Sequence, residues 1–201
     1  MNKEQLQQIC SDLGIKLIVG ETFIKEQAGY YENYNQLEAD DNQWYYSEMD
    51  FEARPVPEKK DRKKFDSQED SIKYFFLMTL KEFHFNKIHF PNNPIRKIKS
   101  LDEIKKFFDY LGINQECYSF DKKIPQSVLA SVLDNQIVVS YIDQNRNKQF
   151  STIPFNYDKG IFTMYKLTYS LHLLKALEKK FIENGVLEKE FTDEDIEIFI
   201  K

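Results

Sequence analysis

Gln43-Trp44-Tyr45-Tyr46-Ser47-Glu48-Met49-Asp50-Phe51-Glu52-Ala53 interleaves large apolar and acidic side chains along one short run. Successive side chains of a β-strand point to opposite faces, so the run predicts a strand with two unlike sides. One side carries Trp44, Tyr46, Glu48, Asp50 and Glu52; the other carries Tyr45, Ser47, Met49, Phe51 and Ala53. The second set reads as core-facing. That leaves the first as an exposed row of two rings and three carboxylates, whose mutual repulsion does nothing for stability.

Helical signals flank this strand. Residues 3–13 place Leu6, Ile9, Cys10 and Leu13 at helical spacing and stop at Gly14, a residue suited to a left-handed helix end. A second helix, with Asp66 as N-cap and Glu69 at its third position, carries Ile72, Phe75, Phe76, Thr79, Leu80 and Phe83 on one stripe. A third opens at Ser100 with Glu103 in the same relation and stops at Gly112. The fourth and longest, near 159–184, has the stripe Met164, Leu167, Leu171, Leu174, Leu177 and Phe181. A short final helix starts at Thr192, capped onto Asp195.

Further strands are expected at 16–24 and 116–120, and at 137–143 and 149–155 as a hairpin about the polar turn 144–148. The sum is an α+β fold: a single domain over 1–201 in which four to five helices pack on a mainly antiparallel sheet. Both Cys10-Ser11-Asp12-Leu13-Gly14-Ile15 and Phe108-Asp109-Tyr110-Leu111-Gly112-Ile113 end a helix with Leu-Gly-Ile. Two αββα-like halves would explain this, as would ordinary helix-ending chemistry. The basic stretch 54–66, with Arg54, Lys59, Lys60, Arg62, Lys63 and Lys64, reads as a mobile loop.

Between Glu26 and Glu52 there are eight carboxylates, seven aromatic rings and no lysine or arginine. Disordered acidic segments are poor in aromatics, so this combination points to an ordered acidic surface. The part from Tyr30 to Asp41 reads as a recognition loop. A basic protein partner fits such a surface: charge steers the approach, while tyrosine and tryptophan supply contact energy. The candidate partner-binding residues are Tyr31, Tyr34, Asp40, Asp41, Trp44, Tyr46, Glu48, Asp50 and Glu52.

The net charge of −5 argues against nucleic acid as the main partner. No apolar run approaches the roughly 20 residues of a membrane span, and the start of the chain lacks a signal-peptide core, which together with two cysteines suggests a reducing cytoplasm. No phosphate-cradling glycine motif, Cys-x-x-Cys pair, helical His pair or nucleophile elbow is present. No cofactor, metal site or catalytic residue is therefore expected, and the oligomeric state is open.

Tyr46, five intervening residues, Glu52 and then Arg54, followed by a charged stretch and the helix at 67–83, resembles immunity proteins of bacterial polymorphic-toxin systems. That family carries a Tyr-x5-Glu-Arg-Gly motif, where this chain reads Glu52-Ala53-Arg54-Pro55. The resemblance implies a small α+β cytoplasmic protein that acts without catalysis, plugging a cognate toxin, often a cationic nuclease. Two alternatives stand beside it. One is a metal-dependent nuclease-like hydrolase using strand carboxylates such as Asp40, Asp41, Asp50 and Glu52. The other is a mobile-element inhibitor that mimics DNA.

Overall fold

A computed structural model describes residues 1–41, 43–52 and 56–201. Among these the chain is an α+β fold of five α-helices and two mostly antiparallel sheets, where the sequence suggested one sheet. It divides into two compact units, Met1–Phe83 with Phe181–Glu190, and His84–Lys180 with Phe191–Lys201.

The first unit opens with α1 (Lys3–Leu13), whose start is fixed by a reciprocal capping box between Asn2 and Gln5. Gly14 ends it at φ +76°, a conformation that costs glycine nothing. Then come β1 (Leu17–Val19), β2 (Phe23–Glu26), β3 (Tyr34–Asp40), β4 (Gln43–Asp50) and β5 (Glu58–Phe65), an antiparallel meander in that spatial order. The expected strand at 16–24 is thus a hairpin: the chain reverses at Gly20–Thr22, and Val19 pairs with Ile24.

Two stretches read as loops are strands. Tyr34–Asp40 pairs along its whole length with β4, from Tyr34 opposite Met49 to Asp40 opposite Gln43. Glu58–Phe65 is the edge strand β5 rather than a mobile loop, pairing Lys59 with Met49 and Phe65 with Trp44. Ala53, Arg54 and Pro55, which belong to the motif and to the basic stretch, lie outside the described residues. A bulge between Tyr46 and Glu48, with Asp61 at φ +49°, lets the charged strand keep its register at both ends.

α2 (Gln68–Ile88) starts at Ser67, whose hydroxyl accepts from the Asp70 amide at 3.3 Å; Ser67, not Asp66, is the cap. Ile72, Phe75, Phe76, Thr79 and Leu80 are all buried, and the Tyr74 ring meets Tyr46 edge-on at 4.9 Å. Phe83, expected at the end of the stripe, is 39% exposed. Lys3 of α1 lies 5.4 Å from the Trp44 ring on the same side. Both helices therefore cover one face of the sheet, the face carrying Ile24, Leu37 and Tyr46, each fully buried.

The second unit holds α3 (Leu101–Tyr110), β6 (Tyr118–Ser119), β7 (Ser127–Leu133), β8 (Gln136–Ile142), β9 (Lys148–Ser151), most of α4 (Tyr157–Glu183), and α5 (Asp193–Ile200). β6 runs parallel to β7, and β7, β8 and β9 form an antiparallel meander, so its topology differs from the first unit's. The hairpin expected about 144–148 is present, with Arg146 at φ +64°. Met164, Leu167, Leu171, Leu174 and Leu177 of α4 are buried as their spacing requires. Gly160 is needed because a Cβ there would lie 2.5 Å from that of Ile137 on β8. α5 carries the expected capping box between Thr192 and Asp195.

Candidate functional site

The nine candidate residues fall into three groups. Trp44 and Tyr46 are buried at 8% and 0% exposure, on the face that the helices cover. The faces of β4 are therefore the reverse of the expectation: Trp44 and Tyr46 are core anchors, and Tyr45, Ser47 and Met49 lie on the other side. Ser47 and Met49 are nonetheless buried, and the Ser47 hydroxyl accepts from Gln36 at 3.4 Å.

Asp40 and Asp41 are exposed at the β3–β4 hairpin, where Asp41 takes φ +46°, tolerable for aspartate in a tight turn. Asp50 is the last residue of β4 at its opposite end, and Glu52 lies just beyond it. By strand rise the two pairs are about 20 Å apart. Of the carboxylates in the alternative hydrolase reading, Asp50 and Glu52 meet around Lys60, while Asp40 and Asp41 stand apart from them. Among the described residues no group of three His, Cys, Asp or Glu could hold a metal ion.

Asp50 is 4% exposed and ion-paired with Lys60 of β5, and its Oδ1 accepts from the Glu52 amide at 2.8 Å. The Lys60 ammonium and that amide hold the Asp50 carboxyl below the usual carboxylate range. Lys60 also reaches Glu52 at 3.5 Å, though the Glu52 side chain is 84% exposed. The Phe51 amide donates to Asn33 at 2.9 Å, fixing the chain as it leaves the strand.

Four rings gather at this end of the sheet. Tyr30 and Tyr31 meet at 4.3 Å between centroids, Tyr31 and Phe51 at 6.0 Å, and Tyr34 and Phe51 at 6.3 Å. Tyr30 is 87% exposed, and Tyr31 and Phe51 are half-buried. Tyr31 sits at φ +64°, a left-handed conformation that a bulky side chain rarely adopts. Glu32 borders the cluster and accepts from the Gly29 amide at 2.6 Å, closing the loop that presents Tyr30 and Tyr31. Tyr30 and Phe51 were absent from the candidate set; the dense run of tyrosines was the available signal for the first.

On the helix-covered face lies a polar cluster that the sequence reading missed, in which Asn35 and Tyr46 are buried and the exposed Glu82 of α2 turns its carboxylate inward. The Asn35 amide donates to Glu26 at 2.7 Å, the Asn35 side chain donates to Glu82 of α2 at 3.1 Å, and the Tyr46 hydroxyl donates to Asn35 Oδ1. Burial raises the Glu26 acid against its hydrogen bonds from Asn35. Burial of its inner part, and then the charges of Glu26 and Glu48, push Glu82 up to about 7. Glu48 is thus a member of this inner group, half-buried opposite Asn35. Burial also raises the Tyr46 phenol.

Both cysteines are buried, and burial pushes Cys10 up to about 12 and Cys117 up to about 11. His84, buried beside Phe199, is pushed down to about 4. His89 stacks on Phe85 at 4.6 Å, and His172 accepts from the Asn114 amide at 3.4 Å. Asp193 does more than charge a helix start: it accepts from Tyr141 at 2.8 Å and from the Gln144 amide at 3.0 Å.

No protein-family model, curated protein or solved structure matches this chain. No helix among the described residues is long and apolar enough to cross a membrane.

Proposed function

We propose that the protein is a non-enzymatic binding protein that neutralises a basic partner protein, a bacterial toxin on the resemblance above, through the corner formed by Tyr30, Tyr31, Tyr34, Phe51, Glu32 and Glu52. One observation carries the reading: four rings gathered at one corner, one of them 87% exposed and another held in a left-handed backbone. Amphipathic rings clustered on a surface and rimmed by charge are what interface hot spots require. Trp44 and Tyr46 leave the contact set and become its support, since they anchor β4, which pairs with the strand of Tyr34 and leads into Phe51. Asp40 and Asp41 remain available as outlying charges that steer approach.

The test is a rescue experiment in bacteria, expressing the product of the adjacent gene with and without this protein. Growth arrest relieved only by co-expression, with a complex recovered on purification, supports the reading. A harmless neighbour and no complex would sink it. Paired Tyr30→Ala and Phe51→Ala changes that leave rescue and affinity intact would move the contact elsewhere.

A further inference from the structure

The face of the first unit's sheet turned away from α1 and α2 has the opposite electrostatic sign. Its side chains follow from the register. Phe23, Glu38, Tyr45 and Lys64 are consecutive partners across β2, β3, β4 and β5. Ile18, Lys25, Gln36 and Ser47 form the next row, and Tyr34, Met49 and Lys59 the one after it. Arg62 joins them, its guanidinium 5.8 Å from the Tyr45 ring.

Lys25, Lys59, Arg62 and Lys64 therefore share one face in a chain whose net charge is −5. The acids on this side are Glu38, which Lys59 holds in an ion pair, and Asp40 at the hairpin end. Arg62 and Lys64 are exposed, and so are the apolar Ile18 at 42% and Phe23 at 38%. A shallow depression of about 320 Å³ lies between Phe23, Lys25, Gln36 and Glu38. Three of the cations line β5 and the fourth, Lys25, stands on β2, with β3 and β4 between them. The sequence hides this, because the lysine-rich run has no ring until Phe65, whereas the fold supplies Tyr45 and Tyr34 from neighbouring strands.

Gln36, Ser47 and Met49 at the centre of the face are buried, and Ile18, Phe23, Lys59, Arg62 and Lys64 are exposed around them. We propose that this exposed rim is a docking surface for an acidic polypeptide segment. Charge complementarity selects an anionic partner, and the rings select among anions. Tyr45 is flanked by Arg62, and Tyr34 by Lys25 at 5.8 Å, so neither offers the free ring face on which a nucleobase stacks. Glu38 and Asp40 interrupt any continuous phosphate track. Separated carboxylates alternating with apolar side chains match the array of spaced cations, Ile18 and Phe23. The surface shares Tyr34 with the acidic corner, but its cations lie outside that corner, and the inference goes beyond the function proposed there.

The test is fluorescence anisotropy on the full chain with a labelled extended peptide of alternating glutamate and valine. Binding should weaken as salt rises, since exposed charges are screened. It should weaken by about tenfold or more in the double reversal Arg62→Glu and Lys64→Glu, and hold in Glu32→Lys at the acidic corner. Lys25→Glu serves as a second reversal if the double variant melts abnormally. Absence of salt-sensitive binding, or binding undiminished in a well-folded reversal, overturns the proposal. So does tighter binding of a labelled oligothymidylate, which would assign the face to nucleic acid.

Discussion

The Tyr46 hydroxyl donates to Asn35 Oδ1 inside the first unit, and the same Asn35 side chain donates to Glu82 of α2. One asparagine thus ties a central strand to the helix above it. Each of its polar atoms has a defined partner, as a buried amide requires.

Removing the phenol oxygen tests this tie. In Tyr46→Phe, Asn35 Oδ1 loses its donor, and leaving a buried acceptor unsatisfied costs about 1–3 kcal/mol. Tyr46→Ala adds a cavity, and its total loss should be on the order of 3–5 kcal/mol. Urea titration reads both. Losses well below these values would show that Tyr46 is peripheral to the core.

The Glu82 carboxyl gives a pH signature. Its folded value of about 7 lies above its ordinary one, so the folded state binds the extra proton in the window between about 4.5 and 7. Stability contributed by this group is complete below that window and declines as pH rises through it. Glu82→Gln should therefore lose less melting temperature than the parent between about pH 5 and about pH 8. Parallel curves would contradict the assignment.

Lys60 and Asp50 predict asymmetry between single and double changes. Lys60→Met strips a buried carboxylate of its cation and should lower the melting temperature more than Asp50→Asn does. The double variant should recover part of the loss. Because Lys60 holds the Asp50 acid down, that pair's stability is present above the ordinary aspartate value and fades as pH falls through the folded one. A Lys60→Met protein with an unchanged acid melt would refute the pairing.

Gly160 predicts a packing failure. The Cβ of Gly160→Ala would approach Ile137 at 2.5 Å, and relief of such overpacking costs about 1–3 kcal/mol. Adding Ile137→Ala should not rescue it, because alanine keeps the Cβ that stands in the way; thermal unfolding reads both variants. A neutral Gly160→Ala would mean that helix and strand slide apart freely.

At the corner, Tyr30→Ala should leave the melt nearly unchanged, and Phe51→Ala, which removes a half-buried ring, should lower it less than Trp44→Ala does. Each should weaken capture of the partner by about 2 kcal/mol if these rings are hot spots. Trp44→Ala should do the reverse, lowering stability first. A titration of the partner beside a melt of each variant separates the two outcomes.

The helices were legible because their signals are local: Gly14 ends one, Thr192 and Asp195 open another, and the leucine stripe of α4 repeats at helical spacing. The strands were legible where β-branched or aromatic residues alternate, as at 137–142. Tyr34–Asp40 escaped because Asn35, Gln36 and Glu38 are poor strand formers that find partners on β2, β4, β5 and α2 only after folding. Glu58–Phe65 escaped because its lysines resemble a solvated loop. The inversion of β4 has a related cause. Which side of an alternating strand faces inward depends on where the helices land, and the buried Asp50 is tolerable only through Lys60, which lies in a stretch that reads as loop.

The bulge at Asp61 has a consequence at the scale of many molecules. β5 leaves an outer row of backbone donors and acceptors that another chain could copy strand by strand. Asp61 breaks the even spacing of that row, and Lys59, Lys60, Arg62, Lys63 and Lys64 repel a second identical edge. Both features disfavour edge-to-edge pairing between identical copies of the sheet.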